Sequence, residues 1–440
     1  MIKYDRSLFK GLIVSPTTWT ASPFVRWFDD FRIISIRNEP KLSDAMRTIS
    51  ISEYIRPDEE MPRTVRAIYK SEVLQRALAA NDLLDYTHVL NRQSGEPVPA
   101  KKVLVNQPEI IAPYESKVSF RKHFSHKVKM PKYKILQLSD WNQDTTYDEL
   151  AQLLSPDLVI QHPDQSGGRG TYFASSAESF NRIVKDITHD EDHKTPDIVV
   201  SERVSNPVER SLQVCILEDA VLVGPPQAQL IRNVFLTYDW PDAIQFCGGS
   251  IGAGLMSDEQ YAEASTYART IAATLQHAGY RGIFGIDYLI SDEVYVIEAN
   301  LRFTGLSPLL ASLQHEAPYM LLHVLEQAKQ PYQLDTTPEK ASSGSFITVY
   351  AKHSGQTDLE TGLYDVNLNR VGDGFENANL LPSKKDLFFI ATRTVPGVPV
   401  KAGKSLAFVY SLNELFDTHG ELSKDAHEVA KNIRSRFVQD

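Results

Sequence analysis

The chain has 440 residues, 42% hydrophobic and 23% charged, with 46 Lys and Arg against 56 Asp and Glu and a formal net charge of −10. This is an ordinary globular composition, long enough for about three domains and a cleft between them, and its acidic balance speaks against general affinity for nucleic acid or an anionic membrane surface. Two cysteines, Cys215 and Cys247, exclude a disulfide framework and a four-cysteine zinc site; no run approaches the roughly 18 apolar residues of a membrane helix or the core of a signal peptide, so the expected location is the cytoplasm.

In chain order, Leu8 to Val14 reads as a strand that stops at Ser15-Pro16, and Arg32 to Ile36 as a second. Val65 to Leu84 has a helical pattern, and Lys101 to Val105 reads as another strand. Strands alternating with helices predict a parallel α/β domain over residues 1–115. From a helix near Ser116 the texture changes to short β-branched runs, among them Asp157 to Gln161, Ile198 to Ser201, Leu212 to Leu217, Ala220 to Gly224 and Val294 to Ile297. Helices are expected near Ser176–Ile187 and Ser257–Ala278. This α+β pattern with antiparallel sheets is assigned to residues 116–337. After the polar connector Pro338 to Gly344, the strands Ser345 to Ala351, Phe388 to Thr394 and Ser405 to Tyr410 and a helix from Ser423 to Phe437 make a small mixed β domain, residues 338–440.

Three stretches carry chemistry. Gln165-Ser166-Gly167-Gly168-Arg169-Gly170-Thr171 follows a strand, and its glycines let backbone N–H groups approach phosphate oxygens. It is neither a Walker loop nor a dinucleotide fingerprint, and a plain hairpin turn reads equally well. Second, Gly285 to Ile290 and Val294 to Arg302 flank the turn Ser291-Asp292-Glu293, so paired strands bring Asp287, Glu298 and Asn300 together. Glu298 and Asn300 share a face with Arg302 two residues on, and an all-oxygen set of two carboxylates and an amide suits Mg²⁺. The alternative is a polar strand face with a surface ion pair. Third, Val199 to Ser205 can offer backbone hydrogen bonds to an adenine edge, and Glu209 can take ribose hydroxyls.

In this order and spacing, Ser116 to Gly305 resembles the ATP-grasp superfamily, which includes D-alanine–D-alanine ligase, biotin carboxylase and the antibiotic-pathway peptide ligases. The resemblance is most specific at Asp287…Glu298-x-Asn300-x-Arg302 and implies an ATP-grasp fold between an N-terminal parallel α/β domain and a small C-terminal mixed β domain. It implies ATP and Mg²⁺ as cofactors, with Mn²⁺ as a substitute. By position, Lys117 takes a phosphate contact, Gly167, Gly168 and Gly170 the phosphate loop, Glu202, Val204 and Ser205 the adenine hinge, and Glu209 the ribose. Asp287, Glu298 and Asn300 become metal ligands, and Arg302 and Arg169 the catalytic cations. One departure stands out: where these enzymes carry a second lysine on the strand before the glycine loop, this chain has Gln161, which can hydrogen-bond but brings no charge. The implied activity joins a small-molecule carboxylate to an amine through an acyl phosphate. A carrier-protein thiol as acceptor, bicarbonate-dependent carboxylation and a non-catalytic ATP sensor are the rivals. The sequence is compatible with a homodimer without fixing the oligomeric state.

Other features are read as structural. The tract His189-Asp190-Glu191-Asp192-His193 is expected to be a solvated loop, and His123 and His126 share a helix face without a third partner. Gly248 to Gly254 is read as a mobile loop or a linker, and Gln227, Arg232 and Gln245 fall in the segment expected to line the carboxylate pocket.

Overall fold

The computed structural model describes residues 2–15, 17–36, 47–60, 65–90, 102–163, 165, 170–189, 195–231, 233–238, 246–335, 343–374, 379–392 and 399–439. The N-terminal segment forms a parallel sheet in the order Thr48–Ser50, Phe31–Ser35, Gly11–Ser15, Thr87–Val89, Val103–Leu104. Its central strand Gly11–Ser15 is buried throughout, as parallel strands covered on both faces must be. The helical pattern from Val65 to Leu84 is two helices, Val65–Tyr69 and Glu72–Ala80. Ser71 breaks it with an extended backbone and a hydroxyl that donates back to the Ile68 carbonyl at 2.8 Å.

A second, antiparallel sheet runs Tyr133–Gln137, Asp197–Glu202, Leu158–Gln161, Thr171–Ala174. The helix Ala177–His189 covers it through Phe180, Ile183, Val184 and Ile187, an i, i+3, i+4, i+7 stripe. The third and largest sheet is antiparallel and begins Val294–Asn300, Gly282–Ile290, Val208–Ile216, Gln227–Ile231, Phe246–Ile251, continuing directly into Gly344–Tyr350, Ser405–Ser411 and Phe388–Thr392. The helix Asp258–His277, started by a capping box between Ser257 and Gln260, packs Ala264, Ala268, Ile271, Ala272 and Leu275 against one face. The other face is left for the cleft and for a core shared with the N-terminal helix Thr18–Trp27 and the helices Ser307–Leu313 and Tyr319–Ala328.

The glycine-dense stretch from Gly248 is neither loop nor linker in its first half. Gly248 to Ile251 belongs to a buried strand between Gln227–Ile231 and Gly344–Tyr350. A Cβ on Gly248 would lie 2.2 Å from the Phe346 carbonyl oxygen, and one on Gly249 would lie 2.5 Å from Leu306. The glycines there answer to close packing, not to mobility.

Candidate functional site

The end of the Val294–Asn300 strand, its partner Gly282–Ile290 and the helix Lys117–Phe124 meet at a cleft of about 370 Å³, in the range of small-molecule sites. The strand register places Asp287 directly opposite Glu298 and Gly285 opposite Asn300. An irregularity after Asp287 absorbs one residue, Ile297, so that Glu298 and Asn300 both line the cleft while Val296 stays in the core. Asn300 Nδ2 donates to Asp287 Oδ2 at 2.9 Å, and Arg302 Nη2 donates to Asn300 Oδ1 at 3.0 Å. Gln229 Nε2 donates to Asp287 Oδ1 at 2.8 Å. Burial and the facing Glu298 carboxylate raise the Asp287 pKa well above the usual carboxylate range, against the opposing pull of Arg302 and Asn300.

Lys117 opens its helix because Ser116 caps it, with Ser119 N–H donating to Ser116 Oγ at 3.1 Å. Lys117 is 7% exposed, and its ammonium donates to the Gln165 carbonyl at 2.6 Å and lies 3.2 Å from Glu298 Oε2. One buried cation thus ties the helix, the glycine segment and the acidic strand together. Gly170, at φ +69°, closes the hairpin between Leu158–Gln161 and Thr171–Ala174, where a Cβ would meet Gln165 and His162 below 3.0 Å. Gly167, Gly168 and Arg169 lie outside the described residues, as do Arg232 and Gln245.

Gln161 lines the cleft with Lys117, and Glu209 lines it beside Leu289. Glu209 belongs to the strand Val208–Ile216, which begins earlier than its apolar run indicated. Glu202, Val204 and Ser205 are not among the cleft-lining side chains. Glu202 ends its strand and accepts the Lys132 backbone N–H at 2.8 Å. His123 Nδ1 bonds the Ser119 carbonyl oxygen, and its ring stands edge-on to Tyr114, a helix-surface role. His189 bonds the Lys185 carbonyl oxygen, and the rest of its tract is outside the described residues.

Two groups escaped the sequence reading. Arg121, 1% exposed, stands one helical turn after Lys117 and donates Nη2 to Gln161 Oε1 at 3.0 Å. Its guanidinium also lies 5.6 Å from the Tyr133 ring centre. Burial lowers its pKa to about 10, Glu298 and Tyr133 act in the other direction, and it stays charged at neutral pH. Its signal was the i, i+4 spacing from Lys117, which puts both cations on one helix face. Gln229 was announced by alternation in Gln227-Ala228-Gln229, which points both amides to one side of a strand.

A divalent cation fits this set. Among the described residues no group of three or more His, Cys, Asp and Glu side chains is placed to hold a metal, so the donors here are two carboxylates and an amide. All are oxygen, as Mg²⁺ prefers, and the burial and the facing Glu298 charge that together raise the Asp287 pKa are what such an ion offsets. Lys117 engages one Glu298 oxygen and Arg302 one lone pair of Asn300 Oδ1, leaving the second oxygen and the second lone pair.

Residues 114–306 match the family model described as an ATP-grasp domain. No curated protein matches the chain in sequence. Among solved structures, biotin carboxylase from Campylobacter jejuni superposes with a TM-score of 0.64 at 10% identity, over 92% of this chain and 87% of that one. Carboxyaminoimidazole ribonucleotide synthase from Aspergillus clavatus gives 0.58 at 12% identity, over 97% and 99%. Phosphoribosylamine–glycine ligase from Thermotoga maritima gives 0.56 at 15%, over 97% of each. No helix among the described residues is long and apolar enough to cross a membrane. Residues 114–306 match an ATP-grasp domain, and the chain carries the fold of these three structures nearly end to end.

Proposed function

We propose that the chain is an ADP-forming ligase that activates a carboxylate with ATP and joins it to an amine. The observation that carries this reading is the Asp287–Glu298 pair with Asn300 and Arg302 at its end and Lys117 ion-paired to Glu298. A wall built only to bind adenosine has no use for two carboxylates held face to face. The same acids with two cations at their margins suit a polyphosphate and its metal. The structural neighbours from Campylobacter jejuni and Aspergillus clavatus are described as complexes with β-γ-ATP and with ATP.

Asp287, Glu298 and Asn300 would hold Mg²⁺, which would supply neutralisation of phosphate charge. Lys117 grips a phosphate from the helix side. Gln161, backed by Arg121, does so from the hairpin side, in place of a second lysine. Glu209, which lines the cleft, takes the ribose; the side chains of the hinge Glu202, Val204 and Ser205 stand outside the cleft lining, so the hinge offers the adenine its backbone groups alone. A substrate carboxylate oxygen attacks the γ-phosphorus; the bond to the β,γ-bridging oxygen breaks and ADP leaves. An amine nitrogen then attacks the acyl carbon, the bond to phosphate breaks, and the nitrogen releases a proton. Arg302 neutralises charge on the transferred group in both steps, with Arg169 of the glycine loop as the second catalytic cation. The glycine segment Gly167, Gly168 and Gly170 excludes water from the acyl phosphate.

The test is ATP, Mg²⁺ and a panel of carboxylic acids with hydroxylamine as the amine, scored for hydroxamate and ADP. Hydroxamate formed in step with ADP supports the ligase. ATP bound tightly with no ADP release across the panel would favour a sensor instead. A product appearing only with a carrier-protein thiol would move the acceptor from nitrogen to sulfur.

A further inference from the structure

Gln227 ends a chain of hydrogen bonds whose polarity can be traced from a backbone amide. Thr304 N–H donates to Ser307 Oγ at 2.9 Å. The hydroxyl proton passes to Gln213 Oε1 at 2.6 Å, an ordinary length for O–H···O and a short one for N–H···O. With its carbonyl committed, Gln213 donates Nε2 to Gln227 Oε1 at 3.2 Å, where Ser211 Oγ also donates at 3.4 Å. Gln227 is left with its Nε2 directed away from these groups, and that atom has no partner among the described residues. The side chain is 1% exposed and lines the cleft. A buried donor without a partner is costly, so in a cleft wall it is a binding group awaiting an acceptor.

Strand register says where that acceptor lies. Gln227 pairs with Ser211, Ser211 with Asp287, and Asp287 with Glu298, one row across four strands. Neighbouring strands are about 4.8 Å apart, which sets Gln227 on the order of 10 Å from Asp287, on the far side of the cleft from Lys117 and Glu298. Polyphosphate belongs to the Lys117 edge. The Gln227 edge belongs to the other reactant, and the apolar lining of the cleft continues from there along the strand, past Leu306 to Ile231 and its partner Phe246 at the far end.

We infer that Gln227 is the specificity-determining donor for the carboxylate substrate. Its Nε2 takes one carboxylate oxygen, and the rest of the acid extends along the strand towards Leu306, with Ile231 and Phe246 about 13 Å away at the far end of the cleft. The substrate class is a carboxylic acid with an apolar body. This rests on the ligase reading for the identity of the second reactant.

Gln227→Glu is the discriminating change, because it keeps an oxygen to accept from Gln213 and Ser211 and replaces only the Nε2 donor. The probes are propionate, hexanoate and phenylacetate, each with ATP, Mg²⁺ and hydroxylamine. The expected result is hydroxamate from the wild type with at least one acid, and a KM for that acid raised at least tenfold more than the KM for ATP in the variant. A parallel titration follows the Gln227 side-chain amide resonance of the ¹⁵N-labelled wild type, assigned by triple resonance, as the acids are added with MgADP. It is expected to move with the same acid. Equal KM values, or an amide that none of the acids moves, would overturn the proposal. ATP binding without hydroxamate would overturn the ligase reading alone, and the amide titration would still decide the role of Gln227.

Discussion

Arg121 Nη2 donates to Gln161 Oε1 at 3.0 Å, so a buried guanidinium stands directly behind the amide that occupies the second-lysine position. The bond turns the Gln161 Nε2 group towards the cleft and polarises it. Under the proposed function, this wall keeps a cation, set back by one side chain behind Gln161. A charge-assisted hydrogen bond contributes about 1.5–3 kcal/mol, so Arg121→Met should weaken ATP binding roughly tenfold to a hundredfold, with Arg121→Lys recovering part of it. Gln161→Lys alone should also weaken binding, because it sets a second cation against Arg121. Calorimetric titration with ATP checks all three, and unchanged affinity in Arg121→Met would remove the relay.

The Asp287 pKa raised by burial and by Glu298 has a consequence for stability without metal. As pH rises past the ordinary carboxylate value, the unfolded chain gives up its proton while the folded chain retains it, so stability falls until the raised value is passed. Melting temperatures in EDTA from about pH 5 to about pH 8 should therefore decline more steeply in the wild type than in Asp287→Asn. Mg²⁺ favours the ionised form, and its affinity should rise over the same range. Parallel wild-type and Asp287→Asn curves would contradict the assigned repulsion.

Lys117 bonds both the Gln165 carbonyl and Glu298. Lys117→Gln should raise the KM for ATP by on the order of tenfold to a hundredfold, the range of a lost charge-assisted bond. The effect on AMP binding should be much smaller, since the ammonium serves the outer phosphates. Equal losses for ATP and AMP, measured by titration, would assign Lys117 to packing.

Gly248 has φ +155° and no room for a Cβ against the Phe346 carbonyl. Gly248→Ala should destabilise the protein by about 2–4 kcal/mol through overpacking and backbone strain in the large sheet. Urea unfolding measures this, and a change under about 0.5 kcal/mol, typical of a surface loop, would contradict the buried-strand assignment.

The acidic strand pair was legible as a hairpin, because the turn Ser291-Asp292-Glu293 brings Asp287 near Glu298 and Asn300; the turn alone would set Asp287 opposite Ile297, and the irregularity that puts Glu298 there has no mark in the local pattern. The helix start near Ser116 was legible, and Lys117 was singled out by the family spacing alone; the Ser116 cap that fixes it is seen only in the structure. Arg121 was not, because a buried arginine looks like a surface one until its helix is docked. Gly248 to Ile251 misled because glycine signals both turns and close approach, and only the tertiary neighbours Phe346 and Leu306 decide between them. The donor chain through Ser307, Gln213 and Gln227 spans residues too far apart in sequence for any local pattern to join.

The most direct test of the central claim is ADP release by Glu298→Ala and Asn300→Ala, with folding checked by circular dichroism and melting temperature. The account predicts that both variants fold like the wild type, bind adenosine, and form no ADP at any Mg²⁺ concentration. Wild-type turnover in either variant would contradict the assignment of Asp287, Glu298 and Asn300 as the metal-binding centre.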